Sequence, residues 1–584
     1  MFQCRSDADI RVRLGKLPQD LDQSYDEIYE NNTKNLGSTD KAHVDRAFMW
    51  VMCSAKPLKI SELLGAVCLN ITGTSDKKVT EKTLLDLCQH LLVYDSKLYR
   101  WRFPHTSVGE YFESHHWTLT KAHCYVAKVC LSQLLTQYDH FDPKSNVSDK
   151  IQYSEEISSI QEYIRWYWPI HVQAQEDEPP ETLDPGLVSL FKSFLKSPME
   201  SSIQYQRWLV HLKRDNLPEP DGTTRLYELV ALDDLWPSTV ALFSMTCFSF
   251  TSYVTEWWED SDVSVKNCNG LDLFALSGSV KVCELLLKGG LNPNQPIPRY
   301  GSALAAALRW ERIEVAKFLA CIAQVDVNMP LELGDYGGAL VPAIRCGIDI
   351  VKFLVREAGA DVNMPLQYGY YGGSALEVAV KNDIDIVKFL VQEAGADVDM
   401  QLEHGEYGSA LAAAARYDIE MVRFLVQEAG ADVNMQLEYG EYGSALVAAG
   451  HASDLDKARF LVQEAGADVN MPLEYGEYGS ALAMAVRDNI EMVRFLVQEA
   501  GADVNMQLEY GEYGSALAVA VSCNEVNIGY NRIDIVRFLV QEAGADIDMQ
   551  LKHGKYSSAL AVAVESGYEE IVIFLKAWSK GSGQ

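Results

Sequence analysis

Residues 409–444 read SALAAAARYDIEMVRFLVQEAGADVNMQLEYGEYGS, and close variants of this stretch fill the C-terminal half of the chain. Ser409 suits the N-cap of a helix over 410–417, because its hydroxyl can accept a hydrogen bond from a free backbone N–H of the first turn. A second helix is predicted over 420–428, where apolar residues follow the helical period. Gly430 suits the left-handed position just after a helix. The stretch therefore predicts a two-helix unit, and an extended finger over 435–443 leads to the next one.

The unit recurs at intervals of about 35 residues, with one longer interval of about 43. Its opening triplet Ser-Ala-Leu begins at Ser302, Ser374, Ser409, Ser444, Ser480, Ser515 and Ser558, with Gly338-Ala339-Leu340 as a variant. A second string, Glu-Ala-Gly-Ala-Asp, ends the units from Glu357 onward. A fixed period of this length indicates stacked helical units, and we count about nine of them.

Helix, turn, helix, Gly-Ala-Asp-Val-Asn and finger, in this order, resemble the ankyrin repeat. The resemblance is strong over roughly residues 267–580, and a degraded unit is expected around 224–243. Ser-Ala-Leu-Ala stands where the family has Thr-Pro-Leu-His, and each unit is about two residues longer, with the excess in the finger over 437–443. The resemblance implies a helical solenoid that binds other proteins.

The N-terminal third predicts a winged helix. Helical patterns over 47–54, 62–69 and 80–92 precede two strand-like pieces over 92–95 and 98–103. With LPQDLDQSYDEIY (17–29), SAKPLKISELL (54–64) and FPHTSVGEYF (103–112), this order resembles the winged-helix module of fungal NACHT–ankyrin proteins. The same module occurs in proteins named for a GPI inositol-deacylase, and NACHT–ankyrin proteins belong to the STAND group of signalling NTPases.

We therefore predict an all-α chain of four parts. These are a winged-helix module with N-terminal helices (1–112), a helical connecting region (113–221), a degenerate first ankyrin-like unit (222–266) and an ankyrin array (267–581). The motif G-x-x-x-x-G-K-[ST], which holds nucleotide phosphates, does not occur in the sequence. The resemblance thus implies a protein–protein interaction scaffold like the sensor arm of such a receptor. The alternative is the regulatory half of a STAND NTPase whose nucleotide-binding domain lies on a missing upstream segment or another chain.

Composition narrows the function classes. The 584 residues carry a formal charge of −32, about −21 of it from residue 267 onward, which argues against nucleic-acid binding. The twelve cysteines include no C-x-x-C, so a zinc ribbon is not expected. No apolar run reaches the roughly 18 residues of a membrane span, and the N-terminus lacks the apolar core of a secretory signal. We expect a soluble, cytoplasmic protein without membrane contact.

Candidate chemical groups are few, and we predict no enzyme, no cofactor and no metal site. The resemblance implies phosphate contact for His105 only if a NACHT domain is supplied, and a hydrogen-bonded structural histidine is the alternative. His115, His116, His123 and Cys124 form a loose cluster without the i, i+4 histidine pair of a zinc helix. The helix at 80–86 lacks the basic residues that DNA contact needs. No G-x-S-x-G nucleophile motif is present.

The fingers are the predicted binding edge. Stacking the repeats should align a ladder of carboxylates and phenols, which favours a protein partner with a basic segment. The predicted partner-binding residues are Glu406, Tyr407, Glu438, Tyr439, Glu441, Tyr442, Glu474, Tyr475, Glu477, Tyr478, Glu509, Tyr510, Glu512 and Tyr513. Two alternatives stay open: the second tyrosine of each finger packs between adjacent fingers, or binding occurs on the helices around Arg416, Tyr417 and Arg487. We also expect 522–531 to be a mobile loop.

Overall fold

A computed structural model describes residues 21–139, 155–179, 182–214, 232–367, 373–475, 478–510, 513–522 and 532–581. The chain divides into two compact units, Met1–Asn292 and Pro293–Gln584. Helices dominate both units, and the described residues contain one two-stranded sheet. The all-α prediction is therefore confirmed. Among the helices that the structure describes, none combines the length and apolarity needed to cross a bilayer.

The first unit begins with a three-helix core and a hairpin. After α1 (Leu21–Thr33) come α2 (Ser38–Cys53), α3 (Ile60–Cys68) and α4 (Glu81–Cys88), followed by the antiparallel strands β1 (Val93–Asp95) and β2 (Arg100–Arg102). The predicted order is confirmed, but several predicted bounds are wrong, and α2 begins at Ser38 rather than at residue 47. Helix α3 begins at Ile60 instead of the predicted residue 62, because Lys59 is its N-cap. The backbone N–H of Lys59 donates to the Glu62 carboxylate at 2.8 Å. Thr80 caps α4, which ends before the predicted residue 92.

Further helices complete this unit. They are α5 (Thr106–His115), α6 (Leu119–Asp139), α7 (Glu155–Gln173), α8 (Pro185–Leu195), α9 (Ile203–Arg214), a 3₁₀ turn (Leu232–Leu235), α10 (Leu242–Cys247), α11 (Thr255–Glu259), α12 (Leu273–Leu276) and α13 (Val280–Lys288). Helix α7 packs against α3 and α6, and the rings of Trp50, Trp168 and Trp208 are fully buried. Part of the predicted degraded repeat, 224–231, lies outside the described residues.

The second unit consists of stacked pairs of an inner and an outer helix. The inner helices are Ala303–Arg309, Leu340–Cys346, Ala375–Val380, Ala410–Tyr417, Ala445–His451, Ala481–Asp488, Ala516–Ser522 and Ala559–Glu565. Ser409 caps its helix as predicted, accepting a hydrogen bond from the Ala412 backbone N–H at 3.1 Å. The alanines of this helix are fully buried, so neighbouring inner helices can approach closely. The predicted loop at 522–531 lies outside the described residues except for Ser522, which ends a helix.

The outer helices differ from the prediction. They are Ile313–Cys321, Ile348–Arg356, Ile384–Lys388, Ile419–Arg423, Leu455–Arg459, Ile490–Arg494, Arg532–Arg537 and Glu569–Gly581. The single helix predicted over 420–428 starts at Ile419 and continues from Phe424 as a π-helical turn. There the Ala429 N–H donates to the Phe424 carbonyl at 3.0 Å, five residues back. The same turn follows Lys388, Arg459, Arg494 and Arg537, always over the sequence Phe-Leu-Val-Gln-Glu.

Candidate interaction surface

The finger over 435–443 is a narrow backbone loop that is hydrogen-bonded to the preceding finger. Within one finger, the Leu437 N–H donates to the Gly443 carbonyl at 2.9 Å. Gln401 then joins two fingers, since its amide nitrogen donates to the Gln436 carbonyl at 2.7 Å and its oxygen accepts from the Glu438 N–H at 3.1 Å. The side chains of successive fingers are therefore held in register along one edge of the array.

The second tyrosines of two adjacent fingers are buried. Tyr407 and Tyr442 are 1% and 3% exposed, and their rings stack with centroids 5.8 Å apart and planes 7° apart. Tyr513 stacks in the same way on Tyr556, at 6.0 Å and 4°. Tyr478 and Tyr513 are half-buried. This is the packing between fingers that the sequence left open as an alternative.

The first tyrosines and the carboxylates face solvent. Tyr439, Tyr475 and Tyr510 are 37%, 42% and 41% exposed. The exposed carboxylates are those of Glu406, Glu438, Glu441, Glu474 and Glu509. Glu477 and Glu512 lie outside the described residues. We call the exposed set, Glu406, Glu438, Tyr439, Glu441, Glu474, Tyr475, Glu509 and Tyr510, the finger edge.

A row of basic side chains runs beside the buried tyrosines. Consecutive repeats carry one at the same position near the end of the inner helix, namely Arg309, Arg345, Lys381, Arg416, His451 and Arg487. The Lys381 ammonium lies 4.6 Å from the Tyr407 ring centroid, and the Arg487 guanidinium lies 5.3 Å from that of Tyr478. We call these six residues the inner-helix row. We call Tyr407, Tyr442 and Tyr478 the tyrosine column. The negatively charged finger edge and the positively charged inner-helix row both lie beside this column.

Burial further favours the neutral form of the Tyr407 and Tyr442 phenols. Desolvation is the main cause that raises the pKa of Tyr407, and its hydrogen bond with Tyr417 adds to this effect. The two hydroxyl oxygens lie 2.8 Å apart. Desolvation also raises the pKa of Tyr442, with the Glu441 carboxylate as the next cause. These phenols consequently add no charge of their own between the finger edge and the inner-helix row.

Comparison with protein families identifies both parts of the chain. Four overlapping stretches, 376–472, 410–508, 445–551 and 482–582, match the family model described as ankyrin repeats (3 copies). Residues 376–582 of the array are therefore built of ankyrin repeats. Residues 31–120 match the GPI inositol-deacylase winged helix domain. A search of curated proteins gave no match. The winged helix followed by ankyrin repeats confirms the coarse architecture expected from the sequence.

In the winged-helix domain, His105 has a structural partner. Its imidazole accepts a hydrogen bond from the Ser107 backbone N–H at 3.2 Å and so caps α5. Ser107 in turn lies 2.7 Å from the Tyr25 hydroxyl, which ties this cap to α1. Helix α4, which the sequence did not favour for DNA contact, buries Leu84 and Cys88 against the rest of the unit.

The loose histidine cluster is not brought together. His116 lies 2.9 Å from the Tyr111 hydroxyl, whereas His123 lies 2.9 Å from His171, a residue that the sequence did not single out. Sequence reasoning also missed Cys53, which lies beside these two histidines. No local spacing could have revealed this group, because its members come from three different helices. The inner-helix row, by contrast, was visible as a basic residue repeated with the period of the array.

Proposed function

We propose that this protein is an interaction scaffold, and that its acidic finger edge binds a basic segment of a partner protein. The observation that carries the proposal is the solvent exposure of repeated carboxylates next to repeated tyrosines. Exposed carboxylates attract Lys/Arg-rich segments over a distance, and aromatic rings supply contact area at low entropic cost. In this proposal the buried Tyr407 and Tyr442 hold the fingers in place rather than touch the partner.

Charge reversal on the finger edge tests the proposal. The full-length chain is used to select peptides from a display library of random sequences, and Lys/Arg-rich peptides should be enriched. A variant with Glu406→Lys, Glu441→Lys and Glu474→Lys should lose this enrichment, and its residual peptide binding should depend less on salt. Circular dichroism checks that it folds.

The matched control carries the same charge change elsewhere. Glu420→Lys, Glu491→Lys and Glu569→Lys alter exposed residues at the start of outer helices. This control should select the same basic peptides as the wild-type chain. If it loses them to the same extent as the finger variant, net charge and not the finger edge determines the selection.

The inner-helix row is the competing surface within the same array. Its positive charge favours an acidic segment, and Tyr417 beside Arg416 is 53% exposed. In the same selection, binding through this row would enrich Asp/Glu-rich peptides. Arg416→Glu with Arg487→Glu would then abolish the enrichment, while the finger variant would not.

A second candidate function is regulation of a nucleotide-switch ATPase of the STAND group. The match of residues 31–120 to a winged-helix domain supports it, since the sequence resembles the module that follows a NACHT domain. An in-frame phosphate-loop sequence upstream of Met1 in genomic DNA would favour this function. For both functions, we propose that the chain is cytoplasmic and has no enzymatic activity. We also propose that it binds no ATP by itself, and equilibrium dialysis with labelled nucleotide would test this.

A further inference from the structure

Three helices of the first unit bring a thiol and two imidazoles together. Cys53 ends α2, His123 lies in the first turns of α6, and His171 lies near the end of α7. One ligand atom from each residue lies within 4.8 Å of the corresponding atoms of the other two. Cys53 is 5% exposed and His171 fully buried, while His123 is half-buried and faces the surface. The group is thus enclosed on one side and reachable from the other.

The two imidazoles face each other through like atoms. Nδ1 of His123 and Nδ1 of His171 are 2.9 Å apart, so the Nδ1–H of one ring donates a hydrogen bond to the Nδ1 lone pair of the other. Burial lowers the pKa of both rings, and in His171 the nearby His123 lowers it further. Both rings are therefore neutral at pH 7, which is the form that binds metals.

A second layer already orients the buried ring. The Tyr163 hydroxyl lies 2.9 Å from Nε2 of His171, and it accepts a hydrogen bond from the Ala55 backbone N–H at 2.8 Å. Tyr163 is fully buried. A metal-bound histidine needs a partner of this kind on its second nitrogen, because that partner fixes the tautomer and aims the lone pair of the first nitrogen at the ion.

We propose that Cys53, His123 and His171 form a binding site for one divalent zinc-like cation. In a tetrahedral zinc site with bonds of about 2.0–2.3 Å, ligand atoms lie roughly 3.3–3.7 Å apart. The histidine nitrogens need to separate by a few tenths of an ångström to reach this spacing. The fourth position is open, and it takes water on the side of half-exposed His123.

Proton balance gives the proposal a quantitative signature. One neutral imidazole carries its proton on Nδ1 and the other carries it on Nε2. When both Nδ1 atoms bind the ion, the first proton moves to Nε2 of its own ring, so the histidines release no proton. Burial raises the pKa of the Cys53 thiol, which is protonated without metal and must lose its proton to bind as thiolate. At least one proton is therefore released to the buffer for each ion bound, and ionisation of the zinc-bound water adds to this number.

Cobalt titration of the full-length, reduced and metal-free chain tests the site. Co²⁺ should bind with one site per chain that shows thiolate-to-cobalt charge transfer in the near ultraviolet, and Zn²⁺ should displace it. Calorimetry of Zn²⁺ binding in buffers of different ionisation enthalpy should report at least one proton released. If no charge-transfer band appears, or no proton is released, the proposal is wrong and the three residues form only a hydrogen-bonded packing cluster.

Matched variants locate the ion. Cys53→Ser should abolish the charge-transfer band, and His123→Gln should weaken Zn²⁺ binding by at least the ~100-fold that loss of an outer-shell partner can cost. His123 is half-buried, so this variant tests the site even if replacing buried His171 prevents folding. Cys124→Ser changes a half-buried thiol next to His123 and should leave band and affinity unchanged. A band that survives in Cys53→Ser would place the ion on other cysteines and overturn the assignment.

Discussion

The side-chain oxygen of Asn434 accepts a hydrogen bond from the backbone N–H of Asp468, one repeat further along, at 2.7 Å. Its amide nitrogen donates to the Gly466 carbonyl of that same repeat at 3.2 Å. Asn328, Asn363, Asn470 and Asn505 make the same pair of bonds to their following repeats. A single amide thus satisfies one donor and one acceptor across each of these junctions.

At the junction that follows Asp399, one of the two hydrogen bonds is missing, and we predict that a substitution can restore it. Asp399 stands where the five repeats named above have Asn, and it accepts from the Asp432 N–H at 2.8 Å but has no side-chain N–H to donate. Asp399→Asn should therefore stabilise the array by about 0.5–1 kcal/mol, the net worth of one hydrogen bond. Denaturant unfolding and slower exchange of the Asp432 amide hydrogen would show it.

The reverse substitution is the control. Asn434→Asp keeps the acceptor and removes the donor, so it should destabilise by about 1 kcal/mol. Effects of the same sign for the two substitutions would mean that the donated hydrogen bond does not set the energy at these junctions.

Glycine is needed at two positions for different reasons. Replacing each glycine with alanine should therefore lower the free energy of unfolding by unequal amounts. Gly408 and Gly430 both have φ of +76°. A Cβ on Gly430 would meet open space, whereas one on Gly408 would clash with the Tyr439 carbonyl of the next finger. Gly430→Ala should cost about 1–2 kcal/mol for the left-handed conformation alone. Gly408→Ala should cost clearly more, because the finger contact must also shift, and equal unfolding midpoints would contradict this.

Stability should fall with rising pH at one buried carboxyl. Glu377 is fully buried at a position that is alanine in most other repeats, and burial raises its pKa from 4.5 to about 7, with Lys381 at 3.1 Å opposing this rise. Between these pH values the folded chain holds a proton that the unfolded chain has lost. The stability associated with this proton is present below pH 4.5 and is lost as pH rises through about 7.

Glu377→Gln removes this titration while keeping the shape. Between pH 4.5 and 7 the variant should gain on the order of 3 kcal/mol relative to the wild-type chain, in parallel denaturant curves. Other groups titrate equally in both chains, so the difference isolates Glu377. A difference that does not change with pH would mean that the Lys381 ammonium keeps this carboxylate ionised.

The parts of this fold that the sequence predicts well are local. Ser409 caps its helix because the cap and its donor are three residues apart, and the period alone sets the stacking. The π-helical turn at Phe424 escapes prediction, since its sequence also suits an ordinary helix. The burial of Tyr407 depends on how closely the next finger approaches, which no single repeat encodes. The meeting of Cys53 with His171 depends on the packing of α2 against α6 and α7, which is a property of the folded unit.

The two tyrosines of one finger should respond oppositely to truncation. Tyr442 is buried, stacks on Tyr407, and has the His451 ring 5.2 Å away, whereas Tyr439 of the same finger is 37% exposed. Tyr442→Ala should destabilise the array by about 3 kcal/mol, as expected for a large buried ring, and Tyr439→Ala by less than about 0.5 kcal/mol. Thermal unfolding of both variants measures this difference.

Binding of a selected basic peptide should show the opposite order at a temperature where both variants are folded, with the larger loss of affinity for Tyr439→Ala. If Tyr439→Ala binds as the wild-type chain does, the exposed ring makes no contact with the partner, and only the carboxylates of the finger edge remain to recognise it.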